Sequence, residues 1–145
     1  MKTKTVKQIE LWLKNIPGQL SDVSDILSDN RINMLACCYA TRREEEGLFY
    51  FVANDPNKAV NVLKSAGYKI KTKQVIACEM PNHPGGINVV LKLLKKAQIN
   101  LDYIYPCMGT GLTSIVILGL GPVKKTLEIM EDNWIKVWGD DLYHI

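Results

Sequence analysis

Apolar residues along the chain first alternate, then recur at helical spacing, and this change of period repeats. Ile9, Leu11 and Leu13 alternate with Gln8, Glu10 and Lys14, the period-two pattern of a strand with one buried face. Pro17-Gly18 ends it. Leu20, Val23, Ile26 and Leu27 then fall on one face of a helix, with polar residues opposite. Ile32 to Ala40 and Leu48 to Ala53 predict two strands, joined by the turn Glu44-Glu45-Glu46-Gly47. Asp55-Pro56 suits a helix start: the carboxylate caps a free N–H, and the ring has none to lose. Ala59, Val62, Leu63 and Ala66 make that helix's apolar stripe, Gly67 its stop, and Tyr68 to Thr72 a fourth strand.

The same order then returns. It predicts a strand from Val75 to Met80 and a helix from Ile87 to Ala97 with the stripe Ile87, Val90, Leu91 and Leu94. Strands Ile99 to Cys107 and Leu112 to Leu120 follow, then a helix from Pro122 to about Asn133 and a last strand after Trp134. The repeat is visible in the residues themselves. Asn15-Ile16-Pro17-Gly18-Gln19-Leu20 recurs 67 residues on as Asn82-His83-Pro84-Gly85-Gly86-Ile87, and Ile32-Asn33 as Ile99-Asn100. Beyond these points the second copy is expected to turn more tightly, with Gly109-Thr110-Gly111 standing for Glu44 to Gly47 and Gly121-Pro122 for Asp55-Pro56.

Two βαββαβ modules are expected, over residues 1–72 and 73–145. Their fold class is α+β and ferredoxin-like, each an antiparallel sheet with both helices on one face. Tyr68 to Met80 contains no Gly or Pro, so no flexible linker separates the modules. On so short a tether the two copies cannot pair their second strands side by side as self-contained modules. Either a terminal strand is exchanged, or one long strand bridges the copies and the side-by-side pairing forms between chains. Apolar residues on both faces of Leu48 to Val52 predict that the open sheet face is covered too. A homodimer or larger assembly is the expectation.

Composition narrows the function. A hydrophobic fraction of 47% with 23% charged residues is that of a globular domain rather than a disordered chain. The net charge of +3, from scattered lysines, is too weak to argue for nucleic acid or a membrane surface as partner, and neither is expected. Met1 to Thr5 is polar with no apolar segment behind it, and no apolar run reaches the length of a membrane span, so a cytoplasmic protein is expected. Cys37, Cys38, Cys78 and Cys107 form no C-x-x-C, and only His83 and His144 could join them. Reduced thiols, no metal and no cofactor follow. His83, near Cys78 or Asp102 in sequence, is the one candidate for catalysis, and the first copy has Ile16 in its place. No enzyme is expected.

The recurring polar residues point to binding. Glycine in the Asn-x-Pro-Gly loop lets backbone approach a ligand closely, and the helix behind it aims free N–H groups and a partial positive charge at the same spot. A carboxylate suits that place, and Asn15 or Asn82 adds one acceptor and two donors for a zwitterion. A ligand-free tight turn would also explain the loop.

The pattern Asn-x-Pro-Gly-x-[Leu/Ile], a helix, then Ile-Asn opening the next strand resembles the ACT domain, a regulatory module of amino-acid metabolism, twice over. In serine-inhibited phosphoglycerate dehydrogenases of that family, the loop Asn and Gly and the second-strand Asn bind the effector. The resemblance implies a ligand at Asn15, Gly18 and Asn33 and at Asn82, Gly85 and Asn100, with Gln19, Leu20, Gly86 and Ile87 beside it, near module boundaries. It implies a free amino acid or close analogue as ligand. With no catalytic domain in the sequence, any regulation would act on a separate metabolic enzyme. One departure is Ala97-Gln98, where the family often turns out of the first helix through Gly.

A rival reading shares the fold. Leu11 to Ile16 and Gly47 to Val52 look like the two strand motifs of an RNA-recognition motif, with Trp12 and either Phe49 and Phe51 or Tyr50 as base-stacking candidates. The second copy offers Thr113, Ser114 and Ile115 instead, and this reading leaves the Asn-x-Pro-Gly loops unexplained.

Overall fold

The computed structural model describes residues 4–145. Strand β1 (Val6–Lys14) leads to helix α1 (Gln19–Asp29), the hairpin β2 (Met34–Arg43) and β3 (Glu46–Ala53), and helix α2 (Pro56–Ser65). Strand β4 (Lys69–Met80) is followed by α3 (Gly86–Lys96), β5 (Tyr103–Pro106), β6 (Ser114–Gly119), α4 (Val123–Asp132), β7 (Val137–Trp138) and a 3-10 helix over Asp140–His144. The chain divides into two compact units, Lys7–Lys73 and Gln74–Ile145, with residues 4–6 counted in the second. The division falls inside β4, so one unbroken strand closes the first unit and opens the second.

In the first unit the strand order is β2-β3-β1-β4, and in the second β4 lies between β6 and β7 with β5 outside β6. Both are the split βαβ order, antiparallel where the pairs are defined. The register repeats at the same offset of 67. Ile9 opposes Phe51 as Ile76 opposes Leu118, and Cys37 opposes Phe51 as Ile104 opposes Leu118. The tighter second turn expected from Gly109-Thr110-Gly111 is therefore absent. Both hairpins have equal length, and α4 starts 67 residues after α2, so Pro122 matches Asp55 and not Pro56.

The two cores obey the same offset. Ile9, Leu11, Val23, Leu27, Ile32, Phe49, Phe51, Ala53 and Leu63 are buried together in the first unit. Ile76, Cys78, Val90, Leu94, Ile99, Val116, Leu118, Leu120 and Met130 take those places in the second. Each fully buried Leu, Ile or Phe contributes roughly 1.5–3 kcal/mol, so these stripes hold the helices to their sheets. Leu48 and Val52, on the other face of β3, are buried as well.

Helix ends repeat too. After α1, Ile32 N–H reaches Leu27 O and Arg31 N–H reaches Ser28 O; after α3, Ile99 reaches Leu94 and Gln98 reaches Lys95 in the same way. Arg31 and Gln98 sit at φ 56° and 54°, so a non-glycine residue makes the left-handed turn in both copies. The Ala97-Gln98 departure leaves the turn's shape unchanged.

Several element limits differ from the sequence pattern. The strand expected over Ile99 to Cys107 starts only at Tyr103, because Ile99 and Leu101 pack into the core before the ladder begins; its regular part is Tyr103–Pro106, and Cys107 N–H still reaches Ile115 O at 2.9 Å. Leu112, expected to open the next strand, lies fully exposed on the hairpin tip. The last strand is two residues long, and the 3-10 helix after it, which buries Leu142, had no sequence signal.

Candidate functional site

Gly18 and Gly85 are the N-cap residues of α1 and α3, both left-handed, at φ 88° and 81°. Neither helix has a side-chain cap. In α1, Gln19 N–H bonds back to Ile16 O and Asp22 N–H to Gly18 O. Among the described residues this leaves the amides of Leu20 and Ser21 without an acceptor, pointing out of the helix end. In α3, Gly86 N–H takes His83 O and Asn88 N–H takes Gly85 O, and the Ile87 amide is left in the same condition. Uncapped amides at a helix start form a place for an anion.

Leu20 and Ile87, the first residues of each expected apolar stripe, do not join the cores; they are 38% and 39% exposed. They stand on the surface at the loops, where an apolar ligand side chain would meet them. In the first unit Asn15 to Ser21 and Tyr39 line a cleft of about 370 Å³. Asn15 is held there by three bonds: its backbone N–H to Glu45 O (3.0 Å), its Nδ2 to Glu44 O (3.1 Å), and Tyr39 OH to its Oδ1 (3.2 Å). Tyr39 lies across the strand end because Gly47 has no side chain; a Cβ there would overlap the phenol ring. Sequence reading did not single out Tyr39. Its only signal is an exposed aromatic on a strand facing a glycine across the hairpin.

Asn33 is not in this cleft. Its backbone N–H donates to Asn54 Oδ1 (2.9 Å), and its carbonyl accepts from Asn54 N–H (3.0 Å). Asn15 is tied to Glu45 and Asn33 to Asn54, at opposite ends of β3, roughly 30 Å apart along the strand. Within one module the loop Asn and the second-strand Asn therefore cannot share a ligand. Asn82 and Asn100 are both exposed, and Gly121 replaces Asn54, so Asn100 lacks the side-chain clasp. Gly86 is buried because its Cα lies against the Pro81 carbonyl, where a Cβ would collide with the oxygen.

Two of the aromatics that RNA stacking would need are taken up by the core. Phe49 and Phe51 stack on each other inside the core, 5.2 Å between ring centres. Trp12 carries Lys69 and Lys71 over its ring, their Nζ atoms 5.2 and 5.5 Å from its centre. Burial pushes the Cys78 thiol up to about 12 and Cys107 to about 11, with Cys107 adding to the shift of Cys78; Cys37 is raised by burial and by Cys38. Such thiols are poor nucleophiles and poor metal ligands. Among the described residues no group of three or more His, Cys, Asp or Glu is placed to hold a metal. No described helix is long and apolar enough to cross a membrane.

A βαββαβ pair whose loops carry Asn and Gly before an uncapped helix defines a known class. The chain belongs to the ACT domain pair family, whose model matches residues 4–144. Among solved structures it is similar to protein BT0572 from Bacteroides thetaiotaomicron, at 25% identity and a TM-score of 0.89, with 97% of each chain covered. The regulatory subunit of aspartate kinase from Thermus thermophilus shares the fold at 13% identity and a TM-score of 0.62, over 90% of this chain and 93% of that one. The corresponding subunit from Thermus flavus does so at 13% identity and a TM-score of 0.60, over 92% and 94%. No curated protein matches the chain.

Proposed function

We propose that the protein is a non-catalytic, cytoplasmic amino-acid sensor that works as a homodimer and regulates a separate metabolic enzyme. The observation that carries this reading is the pair of uncapped helix starts, each with free amides beside an Asn and a left-handed Gly, in a member of the ACT domain pair family. An amino acid's carboxylate suits the amides of Leu20 and Ser21, and its ammonium suits the Asn oxygen. Asn33 or Asn100 would complete a site from a neighbouring module of the second chain, since neither can do so within its own module. Likeness in fold to a separate regulatory subunit supports action on a partner enzyme.

Calorimetry with the common amino acids and their 2-oxo acids at millimolar concentration tests the reading. Saturable binding of one ligand or a small related set is expected. Asn15→Ala and Asn82→Ala should each weaken it by about 1.5–3 kcal/mol, the worth of a hydrogen bond to a charged group, with the fold unchanged by circular dichroism. Absence of binding across the panel would remove the proposal.

A further inference from the structure

The first loop is braced and the second is not. In the first unit the β1–β3 ladder runs on to Lys14 opposite Glu46, and Asn15 prolongs it through Glu45 O. Pro81 stands where Lys14 does. Lacking an N–H, it stops the β4–β6 ladder at Met80 opposite Ser114. The second hairpin tip bonds to itself instead, Thr113 N–H to Thr110 O and the Thr110 hydroxyl to Thr113 O. Pro106 occupies the position of Tyr39, 67 residues on. Among the described residues the Asn82 side chain makes no hydrogen bond, whereas Asn15 makes two.

We propose that Tyr39 is a positioning residue of the first loop, fixing the Asn15 amide for the ligand, so that the two copies bind the same amino acid with unequal affinity and the first copy fills first. This rests on the reading of the loops as amino-acid sites. An Asn amide has two N–H donors and two acceptor lone pairs. Glu44 O takes one donor and Tyr39 OH takes one lone pair, which leaves one of each for a zwitterion. Because both bonds are already made, Asn15 loses no rotamer freedom when the ligand arrives. Asn82 must be ordered by the ligand, and that difference is worth roughly three- to tenfold in affinity.

The test is calorimetry on the full chain, using whichever amino acid of the common set gives the largest heat. Two binding steps are expected. Tyr39→Phe weakens the tighter step three- to tenfold and leaves the weaker step as it was, with an unchanged melting temperature. In an Asn15→Ala background, Tyr39→Phe has no further effect, because Tyr39 acts through Asn15. A structural role alone would lower the melting temperature and would act in both backgrounds alike. Equal loss from Tyr39→Phe in both backgrounds, equal affinities for the two steps, or loss of the tighter step by Asn82→Ala overturns the proposal while leaving the amino-acid reading in place. No heat with any amino acid overturns both.

Discussion

Gly67 and Trp134 hold the same left-handed backbone position, at φ 92° and 60°. Each follows the second helix of its unit, and its N–H closes the turn on the third residue back, Lys64 O at 2.9 Å and Glu131 O at 3.2 Å. Glycine takes this conformation freely, whereas any side chain brings its Cβ against the next carbonyl. Trp134 is 96% exposed, so burial offsets none of that strain. Trp134→Gly should stabilise the protein by up to about 1 kcal/mol. Urea unfolding reads this as a higher midpoint at constant slope; a lower midpoint would contradict it.

At the start of α3 the constraint has the opposite sign. Gly86→Ala drives a methyl group into the Pro81 carbonyl oxygen, a backbone atom that cannot rotate away. A cost of about 1–3 kcal/mol is expected, as for other forced overpacking. Gln19→Ala, the matching change in the first unit, should stay within about 0.5 kcal/mol. Equal effects in the two units would mean that the close approach at Pro81 is relieved at no cost.

Cys78 and Cys107 give the protein an alkaline limit. Burial raises both thiols above their ordinary value of 9.0, to about 12 and about 11. Below pH 9 the thiols are protonated whether the chain is folded or not, and their contribution is fully present. Above it the unfolded thiols ionise while the folded ones do not, so stability falls by about 1.4 kcal/mol per pH unit for each thiol. Urea unfolding at pH 7.5 and 10 should show this fall, and Cys107→Ala should make it shallower. Identical slopes in parent and variant would place the effect elsewhere.

Assembly follows from the edges. β2 and β5 are edge strands of their units, and β2, at 10 residues, is about twice the usual strand length rather than a short protected edge. Light scattering at micromolar concentration should report a dimer. A monomer would leave the edge of β2 in water and remove the neighbouring module from which Asn33 is proposed to complete a site.

Most of the architecture was legible because period-two and helical spacing are written twice and check each other. The strand alternation at Ile9 to Leu13, the Asp55 cap (its carboxylate accepts from Lys58 N–H at 3.2 Å) and the stop at Gly67 all appear as the pattern indicates. Errors arose where one copy alone carried the signal. Ile99 and Leu101 read as strand because they are apolar, yet they pack against the core before the strand ladder begins. The glycines of Gly109-Thr110-Gly111 suggested a tighter turn, but both sit at positive φ within a hairpin of unaltered length. At the loops, the sequence identified Asn, Gly and the helix start. Tyr39 escaped it because its role depends on a neighbour across the strands, and Gly47 reads as a turn residue when seen alone.

The paired interiors also divide their bulk differently. Where the first unit has Phe49, Phe51, Ala53 and Ala59, the second has Val116, Leu118, Leu120 and Thr126. Relative to the first unit, the second has less bulk at these first two positions and at Cys78, which matches Leu11, and more at Leu120 and Thr126, while the paired loops keep the same length. Interiors packed to crystal-like density resist uneven change, so within each core smaller side chains at some sites go with larger ones at others. A core that combined the small residues of both units, or the large ones of both, would be left with a void or an overlap.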